Sequence, residues 1–371
     1  MFRKPLFWII CTLLALGCVI FTWNYFPKAF PVVTVEITMD RQMAMEQAED
    51  IARTFNLGPE DYRIAASYNL NSRVQNFVEL EAGGADAFRE LLQSGLYYPY
   101  TWQVRLFREL EANETLVRFT PQGEPWGFVE RLPEDEPGAA IPADSARTIA
   151  EEAVKGFWNV NLQEFTLVES SENMRPGGRL DHTFVYERID EKIGDAEYRL
   201  RLGVGGDELT ELTHFVRVPE AFDRRFEELR SQNSTLAEVS LFAMLILFGL
   251  IGCGFGLFYL LKLRYVLWKQ PVIASTVIAF LVMLAMFNSW PLQWMGYDTA
   301  LSYQNHIIMQ VSTALLGFVA MAIVFSIIFM AAESLTRKAF PNHINFWKLW
   351  SRGVASSKQL LGITFAAFLL V

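Results

Sequence analysis

Two kinds of pattern divide this chain. Leu6–Phe26, Leu241–Leu261, Pro271–Trp290 and Ile307–Ala332 are long apolar runs without a charged residue. A helix rises about 1.5 Å per residue, so roughly twenty apolar residues cover a hydrocarbon core of about 30 Å. These runs predict a signal-anchor helix within residues 1–27 and three further spans, at about 236–262, 271–290 and 307–332. Arg3 and Lys4 resemble the n-region of a signal peptide, but the first run is long and lacks an Ala-x-Ala site, so it reads as an uncleaved anchor. Ala15-Leu-Gly-Cys18 departs from a lipoprotein cleavage box, because Ala15 stands where Leu is expected and the chain stays apolar after the cysteine. Residues 333–358 form a basic link, and 359–371 turn apolar again. That last stretch is too short to span. It reads as the start of a fifth, truncated helix, so the sequence is expected to be a piece of a longer protein.

Residues 28–235 follow other periods. Asp40–Ala52 places apolar residues at helical spacing behind a capping Asp, and Ala143–Val154 repeats the pattern with Asp144. Each of these is followed by short alternating runs, which read as strands. Tyr62-Arg-Ile-Ala-Ala matches Phe165-Thr-Leu-Val-Glu, and Trp102–Arg108 matches His182–Arg188. Thr115–Phe119 matches Tyr198–Leu202, and Phe128-Val matches Phe215-Val. The turns are Pro121–Pro125 and Gly203–Asp207. The first copy carries additional residues near Gly83–Pro99, including a helical piece at Ala85–Ser94. The pattern predicts two α+β repeats, 28–136 and 143–235, each a helix on an antiparallel sheet, joined by Pro137–Pro142. The fold class is then a membrane protein with helical spans and an exported α+β region.

Charge fixes the orientation. Residues 28–235 hold 22 Lys/Arg against 38 Asp/Glu, a net of −16, while the flanks are mildly basic. Lys262, Arg264 and Lys269 follow the second span, and Arg337, Lys338, Lys348, Arg352 and Lys358 follow the fourth. The positive-inside rule therefore puts the N-terminus inside and 28–235 outside, with 291–306 also outside. Trp290, Trp294, Tyr297 and Tyr303 outside, with Trp268, Trp347 and Trp350 inside, suit interfacial aromatic belts. The acidic block excludes nucleic acid as a partner. The three cysteines, Cys11, Cys18 and Cys253, exclude a disulfide scaffold.

Candidate chemistry is sparse. The histidines are His182, His214, His306 and His343, and neither they nor the cysteines have zinc-site spacing. His182 and His214 fall on strands of the second repeat, where they either meet across a sheet as metal ligands or sit apart as ordinary strand residues. Gly203–Asp207 is a hairpin turn rather than a phosphate cradle, because no helix follows it. Gly252–Gly256 offers a small-residue face for helix packing. No Asp, Glu, Lys, Arg or His lies within the four apolar runs proper, which argues against transport.

The layout of the exported region resembles the PepSY-like and cystatin-like modules found outside bacterial membranes. That resemblance implies either a peptide- or partner-binding module or a folded spacer. The run Ala332-Glu-Ser-Leu-Thr-Arg337-Lys-Ala-Phe340-Pro-Asn-His343 resembles the CPBP (CAAX-protease-like) intramembrane proteases. Their motifs are Glu-Glu-x-x-x-Arg and Phe-x-x-x-His. Here Ala332 replaces the first Glu, and the interval from Phe340 to His343 is one residue short. The wider layout, with 331–352 as its most specific part, resembles the N-terminal half of long bacterial members. It implies that the catalytic residues lie beyond Val371. No catalytic, cofactor-binding or metal residue is then assigned in this chain, and Glu333 and Arg337 form a structural i,i+4 pair at a helix end. The implied role is the sensing, substrate-presenting and anchoring part of an inner-membrane endopeptidase. Its partners would be the lipid bilayer and a peptide or protein held by the exported region. The alternative is a non-enzymatic membrane receptor or scaffold.

Overall fold

The computed structural model describes residues 5–341, 348–349 and 351–370. Arg3, Lys4, His343, Trp347, Trp350 and Val371 lie outside the described residues. Four helices are long and apolar enough to cross a membrane: Pro5–Ala29, Glu220–Lys262, Lys269–Asn288 and Tyr303–Ala339. They make the chain a membrane protein in contact with lipid. Leu245–Phe255 within the second winds as a π-helix. Gly249, Gly252 and Gly254 fall in that wide stretch, and a Cβ on Gly256 would approach Leu335 to 3.0 Å. The glycine at 256 thus lets this helix pack closely on the Tyr303–Ala339 helix.

The second folded unit comprises Pro27–Phe226 and Trp290–Ile307. Its strands are β1 (Arg63–Leu70), β2 (Tyr100–Phe107), β3 (Glu114–Phe119), β4 (Pro125–Arg131), β5 (Phe165–Met174), β6 (Leu180–Arg188), β7 (Glu197–Gly205) and β8 (Glu208–Arg217). The two repeats do not build two sheets. They merge into one antiparallel sheet of eight strands, ordered β1-β2-β3-β4-β8-β7-β6-β5. The seam pairs Phe128 with Leu212 and Val129 with Glu211. A separate sheet in each repeat would leave β4 and β8 as open edges, and pairing them covers those edges along the seam.

Helices Arg41–Phe55 and Ala143–Lys155 lie on one face of the sheet. Ala44, Ala48 and Ile51 from the first, and Ala146, Ala150 and Val154 from the second, share one buried cluster with Val104, Val117, Phe128, Leu200 and Leu212. The alanines are fully buried, so each helix axis lies close to the strands. Asp40 caps the first helix, accepting from Met43 N at 2.9 Å. Asp144 does not cap the second. Pro142 holds the cap position, and Asp144 sits in the first turn, where its carboxylate faces the positive helix end. The closing Phe-Val pairs are also not equivalent. Phe128 joins the core, whereas Phe215 lies on the opposite face beneath the Arg201 guanidinium, 4.9 Å from it.

The first repeat carries two helices between β1 and β2, Ser72–Glu81 and Gly84–Ser94. Only the second is visible in the sequence pattern. Asn71 caps the first, accepting from Val74 N at 3.3 Å. Val74, Phe77, Phe88 and Leu91 build a second cluster with Tyr198, Val216 and Phe222.

The segment Trp290–Ile307 is not a free loop with a membrane-seeking aromatic belt. Tyr297 is 1% exposed and clusters with Ala65 and Phe107 on the face of β1 and β2 away from the helices. Trp294, Met295, Leu301 and Tyr303 pack around it. Buried sheet carbon offers these rings a drier site than a lipid headgroup region, and hydrogen bonds fix them there.

Candidate binding cleft on the open sheet face

Side chains alternate across a strand, so residues two apart share a face. Val104 and Leu106 on β2, and Thr115 and Val117 on β3, point to the helix side. That sends Gln103 and Arg105 on β2 and Glu114, Leu116 and Arg118 on β3 to the other side. Val129 and Arg131 on β4 join them. Register places Gln103 opposite Arg118, Arg105 opposite Leu116, and Leu116 opposite Val129. With Met295, Gly296 and Tyr297 as a wall, these residues line a cleft of about 400 Å³.

The cleft contains three arginines and one glutamate. Arg105 Nε donates to Glu114 Oε2 at 2.7 Å, and its Nη1 donates to the carbonyls of Met295 (3.2 Å) and Tyr297 (2.7 Å). Arg131 Nη1 reaches the other oxygen of Glu114 at 2.5 Å. Arg118 differs. Its Nη1 donates to Thr213 Oγ1 at 3.2 Å, and among the described residues no carboxylate forms an ion pair with it. Burial pulls its pKa down, with Glu211 and Tyr97 opposing the shift. Gly127 lies at the seam beside Arg118. It lies opposite Arg118 at φ +145°, and a Cβ there would stand 2.2 Å from the Leu212 carbonyl oxygen. The bare backbone lets β4 and β8 approach closely at the seam, which brings Thr213 within reach of Arg118.

The wall is tied to the sheet at several points. Leu110 N donates to Thr299 O at 2.6 Å, and Glu109 N donates to the Tyr303 hydroxyl at 3.1 Å. The Glu109 carboxylate accepts from Tyr303 N at 2.6 Å, where the helix Tyr303–Ala339 begins. A carboxylate at this position satisfies one of the open amides of the first turn and favours the positive helix end. The Arg63 guanidinium lies 4.2 Å from the Tyr303 ring centroid and 5.1 Å from that of Trp294.

The sequence candidates lie elsewhere. His182 on β6 is buried, with Nε2 2.9 Å from the Ile141 carbonyl. His214 on β8 stacks on Trp126 at 3.9 Å and bonds through Nδ1 to the Tyr198 hydroxyl at 2.6 Å. Strand β7 separates these two histidines. Among the described residues no group of three His, Cys, Asp or Glu is placed to hold a metal ion. The His214 pKa is pushed down to about 3, by burial first and then by the Arg118 cation. His306 is buried between the Trp294 and Tyr297 rings. Glu333 and Arg337 form the i,i+4 pair at 3.0 Å, with side chains only 15% and 10% exposed rather than solvated. Ser334 beside them accepts from Leu267 N at 3.0 Å. Arg105 and Arg118 give no such signal in the sequence, because charged residues alternating along a strand read as a solvated face.

No protein family matches the sequence of this chain, and no curated protein does. The CPBP resemblance of 331–352 thus has no family match behind it. A solved structure, the Bacillus megaterium YpeB C-terminal domain, is similar over part of the chain. It is 11% identical with a TM-score of 0.29, covering 47% of this chain and 62% of that one.

Proposed function

We propose that this chain is a membrane-anchored sensing and presenting module. Residues 28–235 lie outside a bacterial inner membrane and hold a peptide in the cleft on the open sheet face. Occupancy then acts on the helix that begins at Tyr303. One observation carries this reading: the cleft wall, Met295–Tyr297, belongs to the same short segment whose end is capped by Glu109 of the β2–β3 turn. A bound chain that shifts the wall also loads that cap. The apolar patch of Leu116, Val129 and Met295 suits peptide side chains, and the polar groups around it suit peptide backbone. The test is photo-crosslinking of the full chain in lipid nanodiscs with a pool of biotinylated tetrapeptides. A benzoylphenylalanine in place of Leu116 should capture peptide, and one in place of Glu172 on β5 should not. Equal labelling at the two positions would refute the cleft as the binding place.

The finer reading makes this module the presenting part of an intramembrane endopeptidase, with glutamate-assisted hydrolysis of a peptide bond in the membrane. It rests on the run from Ala332 to Lys338 and on the layout around it. In that reading Glu333 is a structural residue, since Arg337 already engages its carboxylate and Ala332 supplies no second one. Glu333→Gln in the full-length gene product should retain cleavage of a membrane substrate at normal protein levels. Abolished cleavage would make Glu333 the base instead.

A further inference from the structure

We infer that the cleft recognises a carboxylate, held by the Arg118 guanidinium, so that its ligand is a peptide with a free C-terminus. The inference rests on the cleft being a peptide site and adds which chemical group is read. Three observations meet here. First, the sign of the charge is local. The exported block is strongly acidic, yet the cleft holds three arginines against Glu114 alone. Second, two of those arginines are already committed. Arg105 and Arg131 share Glu114, and Arg105 also holds the wall carbonyls. Arg118 remains a part-buried cation whose bond in the fold is to a neutral hydroxyl. Removing a cation from water without a counter-charge is costly, and a ligand anion removes that cost.

Third, the duplicated architecture contains its own comparison. The match of Thr115–Phe119 with Tyr198–Leu202 makes Arg201 on β7 the counterpart of Arg118. Arg201 has a carboxylate in the fold, Glu211 at 3.6 Å, and lies over the Phe215 ring. Arg118 feels the same Glu211 carboxylate at longer range, but among the described residues it forms no ion pair. Arginine's planar fork matches a carboxylate through two parallel N–H···O bonds, and the neighbouring Gln103 amide adds a donor across the strand pair. Phosphate would satisfy the same charge, but a single guanidinium with an apolar patch fits the flat, singly charged group better.

The test uses the full chain in nanodiscs and ligand-detected saturation-transfer NMR. The probes are a pool of N-acetylated tetrapeptides with free C-termini and the same pool as C-terminal amides. The acid pool should bind about tenfold or more tightly than the amide pool, the scale of a charge-assisted bond. Arg118→Met should erase that preference, Arg118→Lys should keep part of it, and Arg201→Met should leave it intact. The acid–amide contrast on the unaltered protein needs no variant to fold. Equal binding of both pools, unchanged in Arg118→Met, overturns the carboxylate reading and leaves the peptide cleft standing. Binding of neither pool overturns both. Competition by inorganic phosphate as strong as by acetate shows a general anion site and also overturns the carboxylate assignment.

Discussion

Replacing Tyr297 by Ala tests whether Trp290–Ile307 is packed on the sheet or merely follows the membrane surface. The ring is 1% exposed, lies 5.3 Å from Phe107, and its hydroxyl donates to the Leu301 carbonyl. Truncating a buried aromatic residue costs about 3–5 kcal/mol, and the lost hydroxyl bond adds roughly 1. The segment is short and can relax, so we take about 3 kcal/mol as the loss in docking. Each 1.4 kcal/mol is tenfold, so local opening should become roughly 100-fold more frequent. Two amides report it directly: Leu110 N, bonded to Thr299 O, and Tyr303 N, bonded to Glu109. Hydrogen exchange by mass spectrometry in nanodiscs should show both regions accelerating by about that factor, with Val117 in β3 unchanged. Exchange at Leu110 and Tyr303 within threefold of the parent protein would mean Tyr297 does not hold the segment. Equal acceleration at Val117 would mean the segment is part of one global unfolding unit. Either result refutes the reasoning.

Acid should weaken the folded unit of Pro27–Phe226 and Trp290–Ile307 through His214. Its folded pKa of about 3 lies below the ordinary 6.5, so the unfolded chain binds the proton more readily. Stability from this residue is then complete above about pH 6.5 and is lost as pH falls towards 3, by roughly 2–3 kcal/mol at pH 4.5. His214→Gln should flatten the melting temperature between pH 6.5 and 4.5, and an unchanged slope would show that another group sets it. Glu333→Gln should lower thermal stability in detergent by about 1–3 kcal/mol, because it leaves Arg337 without its carboxylate, and Arg337→Met added to it should recover part. No recovery in the double variant would mean the pair is not the source. Alkaline phosphatase fused after Asp135 should be active and after Arg264 inactive, and the reverse pattern would invert the orientation.

Strand periods and helix spacing in 28–235 are legible because each residue's face is a local property. Val117 and Leu200 alternate with Arg118 and Arg201 whatever lies beyond the strand. Which strand pairs with which is not local. Nothing in Phe128-Val129 announces Leu212 and Glu211 as neighbours, so the sequence reads as two sheets where one forms. The aromatics before Tyr303 show the same limit. Their rings satisfy a headgroup region and a packed plug equally well, and only the distant Ala65, Arg105 and Phe107 decide for the plug. Arg118 escapes notice because what distinguishes it, a bond to Thr213 in place of an ion pair, is set by β8, two strands away.

The β4–β8 seam also says something about origin. Antiparallel pairing of corresponding strands is the relation a twofold axis generates, so a lone repeat could complete its sheet by docking edge to edge with a second copy of itself. Joining the two copies in one gene makes that pairing intramolecular and removes its dependence on concentration. It also releases each half from having to match the other. One half could then keep its arginine in an ion pair while the other left its arginine bonded to a neutral hydroxyl and carried two added helices, an asymmetry that a symmetric homodimer cannot encode.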